Sequence, residues 1–306
     1  MKKLLVLLMS LTMVLSFAAC GGGGGGEEAA DSGDAGMTIG LSVSTLNNPF
    51  FVTLKDGAQA KADELGAELI VVDAGDDTAK QTSDIEDLVS KNIQVLIVNP
   101  CDSDAVAPAV EEAMAAGIKV IAVDRMVNGV DVDCSIASDN VAGAELAANW
   151  LVEKAGEGAK CIELQGVNGA SATVDRGQGF HNVADKKLDV VASQTANFDR
   201  AEGLSVMTDL LQANPDVACV FAHNDEMALG AIEALAGKEV LVAGFDATDD
   251  ALAAIKEGKM GATVAQKPDL MGSTAVETAA ALINGETVEK SIPVEVKLVT
   301  ADNVDE

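Results

Sequence analysis

Tyrosine is absent from the 306 residues, tryptophan occurs once and phenylalanine seven times. Leu, Ile, Val and Ala must therefore fill the interior, and each Phe is a position to locate individually. Basic side chains are also scarce, with 20 Lys and Arg against 49 Asp and Glu and a net charge of −29. Charge of that sign repels phosphate backbones and excludes a nucleic-acid binder, which needs a basic footprint. The five cysteines and two histidines contain no CxxC pair and no spacing suited to a metal. No P-loop or GxGxxG follows a predicted strand, no D-x-[DN]-x-[DN]-G calcium loop occurs, and no GxSxG presents a serine nucleophile. What is present, 48% apolar and 23% charged residues, describes a packed globular chain long enough for roughly two domains of ~150 residues.

The first residues form an export signal, with Lys2 and Lys3 ahead of an apolar run from Leu4 to Ala19 and small residues before Cys20. That run is shorter than the ~20 residues that span a bilayer. Ala18-Ala19-Cys20 resembles a bacterial lipobox, with Phe17 where Leu is usual. The resemblance implies acylation of Cys20 as the mature N-terminus. Residues 20–36, six consecutive glycines and an acidic stretch, then read as a flexible tether between lipid and domain.

From Met37 onward, short apolar runs alternate with amphipathic segments. Strands are predicted at residues 38–44, 68–74, 95–100, 119–124, 161–166, 190–196, 218–224, 240–246 and 262–266. Most are continuously apolar, as parallel strands buried on both faces are. The segments between them carry helical spacing, and several end in Gly or Asn. Repeated βαβ units follow, in two doubly wound parallel-sheet lobes of an α/β fold. The stretch up to Asp139 is less regular, and periodicity alone does not assign the final alternation PVEVKLVT to a lobe. Cys161 and Cys219 fall in strand patterns and read as buried thiols.

Open parallel sheets bind ligands outside the carboxyl ends of their strands, so the junctions that follow the strands are where chemistry is expected. They hold the run from Thr45 to Phe51; Asp124 and Arg125; the segment GVNGASATVDRGQGF with Arg176; Phe198, Asp199 and Arg200; Asn224, Asp225 and Glu226; Asp246; and Gln266. Taken singly, Ser171, Asp199 and Asp225 at such junctions read as helix caps or solvated loop charges. Taken together, the junctions describe a polyol site. Carboxylates and amides exchange hydrogen bonds with hydroxyls, Arg offers a fork of donors, and Phe faces pack on sugar C–H groups. Two aspartates balance two arginines, which favours a neutral ligand.

Catalysis is not indicated. His181 and His223 have no nucleophile beside them in any recognisable motif. Asp124 and Asp246 could form a glycosidase pair. However, an arginine next to or facing each is expected to hold both ionised, leaving no acid with a raised pKa.

The segments STLNNPFF, NPCDSDAV, IASDNVAG, DRGQGF, ASQTANFDR, FAHNDEMALGA and GFDAT, in this order, resemble the ribose-binding branch of the bacterial type I periplasmic sugar-binding protein family. The resemblance runs from about Met37 to Thr300. It implies two lobes joined by a three-strand hinge, with residues 37–138 and 267–294 in the first and 139–266 and 295–306 in the second. It also implies D-ribose as ligand, held by ten of the junction residues, Asn48, Phe50, Phe51, Asp124, Arg125, Arg176, Phe198, Asn224, Asp246 and Gln266, with no cofactor and no metal. The partner would be the membrane permease of an ABC importer, with a chemotaxis receptor as an open second partner, and the protein would act as an exported, lipid-anchored monomer. Another neutral monosaccharide or a furanose-like signal molecule is the alternative ligand. The sequence departs from the family at His223, where a glutamine is usual, and in a shortened loop near Gly237-Lys238.

Overall fold

The chain is described by a computed structural model covering residues 36–305. The export signal, Cys20 and most of the tether lie outside the described residues. In chain order the elements are β1 (Thr38–Val43), α1 (Pro49–Leu65), β2 (Glu68–Asp73), α2 (Thr78–Ser90), β3 (Val95–Val98), α3 (Ala107–Ala115), β4 (Lys119–Val123) and β5 (Cys134–Ser138). There follow α4 (Asn140–Ala155), β6 (Lys160–Gln165), α5 (Ser171–Lys187), β7 (Asp189–Thr195), α6 (Arg200–Ala213), β8 (Cys219–Ala222), α7 (Asp225–Ala234), β9 (Leu241–Ala243), α8 (Asp249–Lys256) and β10 (Ala262–Ala265). Last come α9 (Pro268–Ile283), β11 (Ser291–Val294) and β12 (Lys297–Thr300).

The strands form two six-stranded sheets, in the orders β11-β5-β4-β3-β1-β2 and β12-β10-β9-β8-β6-β7. Pairing is parallel except where β12 runs antiparallel to β10. The all-apolar strands are explained by helices on both faces. Val95 and Ile97 of β3 pack with Leu54 and Met271 of α1 and α9, while the intervening Leu96 and Val98 pack with Ile85 and Val110 of α2 and α3. In the second lobe Val220 and Ala222 of β8 face Met207 and Met227, while Phe221 faces Leu151 and Phe180. Burial on both sides removes the polar/apolar alternation that a half-exposed strand shows.

The chain changes sheet three times: between β5 and α4, between β10 and α9, and between β11 and β12. After β10, α9 returns to the first sheet and packs on α1. The contact is backbone against backbone, because a Cβ on Gly272 would lie 2.0 Å from the Leu54 carbonyl oxygen. The less regular stretch before Asp139 contains an unpredicted strand, β5, and the final alternation is two strands, β11 and β12, in different sheets.

Candidate ligand-binding site

One pocket between the lobes is lined by all ten junction residues and by Ala172. Each reaches it by local rules. Asn48 caps α1, its Oδ1 accepting the Phe50 N–H at 2.9 Å, and Pro49 follows at the first helical position. Phe50 and Phe51 stand edge to face at 5.1 Å. Arg125 donates from Nη1 to the Pro100 carbonyl at 2.8 Å, and its guanidinium lies 5.2 Å from the Phe51 ring and 5.4 Å from the Phe198 ring. Phe198 comes close because Gly166 is bare, since a Cβ there would fall 2.0 Å from the ring.

Arg176 is fixed on three sides. Its Nε donates to Asn140 Oδ1 at 2.8 Å, its Nη1 donates to the His223 carbonyl at 2.6 Å, and its guanidinium carbon lies 3.9 Å from the Phe245 ring centre. Asn224 caps α7, accepting the Met227 N–H, while its amide donates to the Phe198 carbonyl at 3.1 Å. Gln266 donates to Asp246 Oδ1 at 2.7 Å. Asp124, Phe198 and Asp246 all have positive φ, at 64°, 61° and 126°. Backbone strain of this kind persists only where surrounding structure holds it, and it gathers at binding sites.

Three buried polar atoms of these residues find no partner in the protein: Asp124 Oδ1, Gln266 Oε1 and Arg125 Nε. Two accept and one donates, and a hydroxyl can do both. The charges do not form tight pairs, because Arg125 Nε stands 3.8 Å from Asp124 Oδ2 and Arg176 Nη1 stands 3.8 Å from Asp246 Oδ1. Here the structure corrects the sequence reading. Burial raises the Asp124 carboxyl above the ordinary carboxylate range and the Asp246 carboxyl well above it, and the arginines offset only part of the effect. Depth of burial outweighs the neighbouring positive charge.

The single-residue readings divide. Asp199 caps α6, accepting the Glu202 N–H at 2.8 Å. Asp225 is no solvated charge: it is fully buried and accepts the Thr263 hydroxyl at 2.7 Å and the Thr248 N–H at 2.9 Å. Ser171 does not cap its own helix. The His223 ring does not line the cavity. It meets buried Glu163 at 2.9 Å, and only its backbone carbonyl reaches Arg176. Residues missed from sequence are Ala172, one turn before Arg176 on the same helical face, and the supports Asn140 and Asn99. Asn99 Nδ2 donates to Asp124 Oδ2 at 3.2 Å. The i, i+4 rule would have found Ala172.

The chain belongs to the periplasmic binding protein domain family, whose model matches residues 39–287. It is 50% identical over 303 residues to the ribose import binding protein of Bacillus subtilis, covering 98% of this chain and 99% of that protein. Against the ribose import binding protein of Escherichia coli identity is 53% over 266 residues, covering 86% of this chain and 90% of that protein. Among solved structures, a Caulobacter myo-inositol binding protein bound to myo-inositol superposes with a TM-score of 0.84 at 34% identity, over 88% of this chain and 95% of that one. A solute binding protein from Agrobacterium radiobacter in complex with D-arabinose gives a TM-score of 0.84 at 28% identity, over 89% and 97%.

Proposed function

We propose that this member of the periplasmic binding protein family is the substrate-binding component of an ABC sugar importer that captures D-ribose between its lobes. The observation that carries the reading is the set of unpartnered polar atoms on Asp124, Arg125 and Gln266, within a cavity whose walls come from both lobes. A polyol would satisfy them, and neither lobe alone could. The ligand therefore selects the closed arrangement, with bending at the three crossings, and the closed form docks on the membrane permease. The relatives at 50–53% identity named as ribose import binding proteins support ribose over other sugars. In this reading the ten junction residues bind ligand and none is catalytic. The N-terminal signal exports the chain, and lipid on Cys20 holds it outside the cytoplasmic membrane.

The bound myo-inositol and D-arabinose of the structural neighbours favour one second reading, another neutral monosaccharide or a furanose-like signal molecule in the same cavity. Calorimetric titration of the exported domain against a panel of pentoses, hexoses and cyclitols decides. Tight binding of another sugar with no heat for ribose would discard the ribose assignment.

A further inference from the structure

The lobes are also tied together outside the cavity. Ser103, on the loop after β3, is fully buried, and its backbone N–H donates to the Gly169 carbonyl of the other lobe at 3.0 Å. Its hydroxyl oxygen accepts the Ser171 N–H at 3.1 Å. In the reverse direction the Ser171 hydroxyl oxygen accepts the Met126 N–H of the first lobe at 2.9 Å. The Ser103 carbonyl is held within its own lobe by the Asn128 N–H at 2.8 Å. Every polar group of Ser103 is therefore engaged, two of the three across the cleft.

Ser171 is not taken up by its own helix. It is the first residue of α5, and the residue before it, Ala170, supplies no side-chain cap. A serine caps a helix from the position that Ala170 holds, so the Ser171 hydroxyl is left for other partners. Here its hydroxyl turns to the opposite lobe, while the free N–H it exposes is met by a serine from that lobe. None of Ser103, Gly169, Ser171 and Met126 lines the cavity, yet two of them adjoin lining residues in sequence. Met126 follows Arg125, and Ser171 precedes Ala172 and lies on the helix of Arg176.

We propose that Ser103 and Ser171 form an interlobe latch that sets how tightly the protein holds its ligand without contacting that ligand. This rests on the reading that the cleft closes on a sugar. Opening the cleft returns the three donors and their acceptors to water, so the contacts favour the closed state alone. A contact confined to one of two states shifts their equilibrium by the same factor for every ligand that selects that state. Losing one such hydrogen bond corresponds to about fivefold in affinity. Cavity residues, in contrast, change the ratios between sugars.

The test is calorimetric titration of ribose and two weaker-binding sugars into wild type, Ser171→Ala, Ser103→Ala and Ser171→Thr. The expected result is affinity about fivefold weaker in each alanine variant for all three sugars, with ratios between sugars unchanged and the threonine variant near wild type. Unchanged affinities, or a loss confined to one sugar, would overturn the latch. The same chains carrying one dye on each lobe report the closed fraction by single-molecule energy transfer without sugar. That fraction should fall in both alanine variants, and an unchanged fraction overturns the latch even if no sugar binds. Absence of binding by wild type would, separately, overturn the ribose reading.

Discussion

The guanidinium of Arg176 stacks on the ring of Phe245 at 3.9 Å while donating to Asn140 and to the His223 carbonyl. The arginine is thus held by groups of the protein itself, which would be left buried and unpaired without it. Its partner across the cavity differs: Asp246 is held by Gln266 and carries a carboxyl that burial pushes toward the neutral form.

The two residues should therefore respond differently to substitution. Arg176→Met is expected to abolish ligand binding and to destabilise the ligand-free protein by about 2–4 kcal/mol, since it leaves Asn140 Oδ1 and a backbone carbonyl unsatisfied. Asp246→Asn, which tolerates positive φ and retains the Gln266 contact, should also lose binding but leave unfolding in urea within about 1 kcal/mol of wild type. Equal destabilisation by both would show that the site is organised otherwise.

Ligand affinity should depend on pH with a definite sign. In the closed cleft burial raises Asp124 and Asp246. A sugar hydroxyl donating to the unpartnered Asp124 Oδ1 favours the ionised form and lowers that carboxyl on binding. Ligand entering the closed cleft then displaces protons, and affinity for that closed form rises with pH from about 4, the ordinary carboxylate value, through the raised titration range and levels off above it. Calorimetry in buffers of differing ionisation heat counts those protons. Uptake, or no exchange at mildly acidic pH, would contradict the assignment.

Asp225 offers a test confined to stability. Burial pushes its carboxyl up to about 7, against the hydrogen bonds from Thr263 and Thr248. An acid whose folded-state pKa is raised contributes stability that is full below its unfolded pKa, near 4, and is lost as pH rises through the folded value. Asp225→Asn should therefore gain on wild type progressively between pH 4 and 7 in paired urea-unfolding curves. Parallel curves would mean that the carboxylate stays ionised throughout. Asp225→Ala, which strands two Thr248 donors and the Thr263 hydroxyl, should cost about 3 kcal/mol or more.

How much of this was legible in the sequence follows from burial and distance. Strands such as β3 and β8 announced themselves because both faces are covered. β5, with its two serines, did not. No local signal separates SIPV from KLVT, because what distinguishes β11 from β12 is the sheet each joins. The junctions that hold the ten cavity residues could be reached because strand ends are where open sheets bind ligands, and the family resemblance singled out the ten among them. Their supports could not: Asn140 matters only because α4 begins beside Arg176, and Ser171 only because the other lobe comes within reach. The expectation that Asp124 and Asp246 are ordinary carboxylates failed for the same reason, since adjacent arginines are visible in a sequence and depth is not.

The thiols give a final prediction that bears on anchoring. Cys101, Cys134, Cys161 and Cys219 are all free and buried. Burial pushes Cys101 up to about 12 and raises Cys134, while a hydrogen bond with Cys219, together with burial, raises Cys161. Burial keeps the reagent from all four, so they should be silent toward an aromatic disulfide reagent in the native protein and react only on unfolding. Cys20, the fifth cysteine, lies outside the described residues. If it carries lipid on sulfur, protein extracted from membranes should show no fast-reacting thiol and four on unfolding. A Cys20→Ser chain should match that count while no longer partitioning with membranes. One fast-reacting thiol in the native extract would mean that Cys20 is unmodified, and the lipid anchor would be discarded with the sugar site untouched.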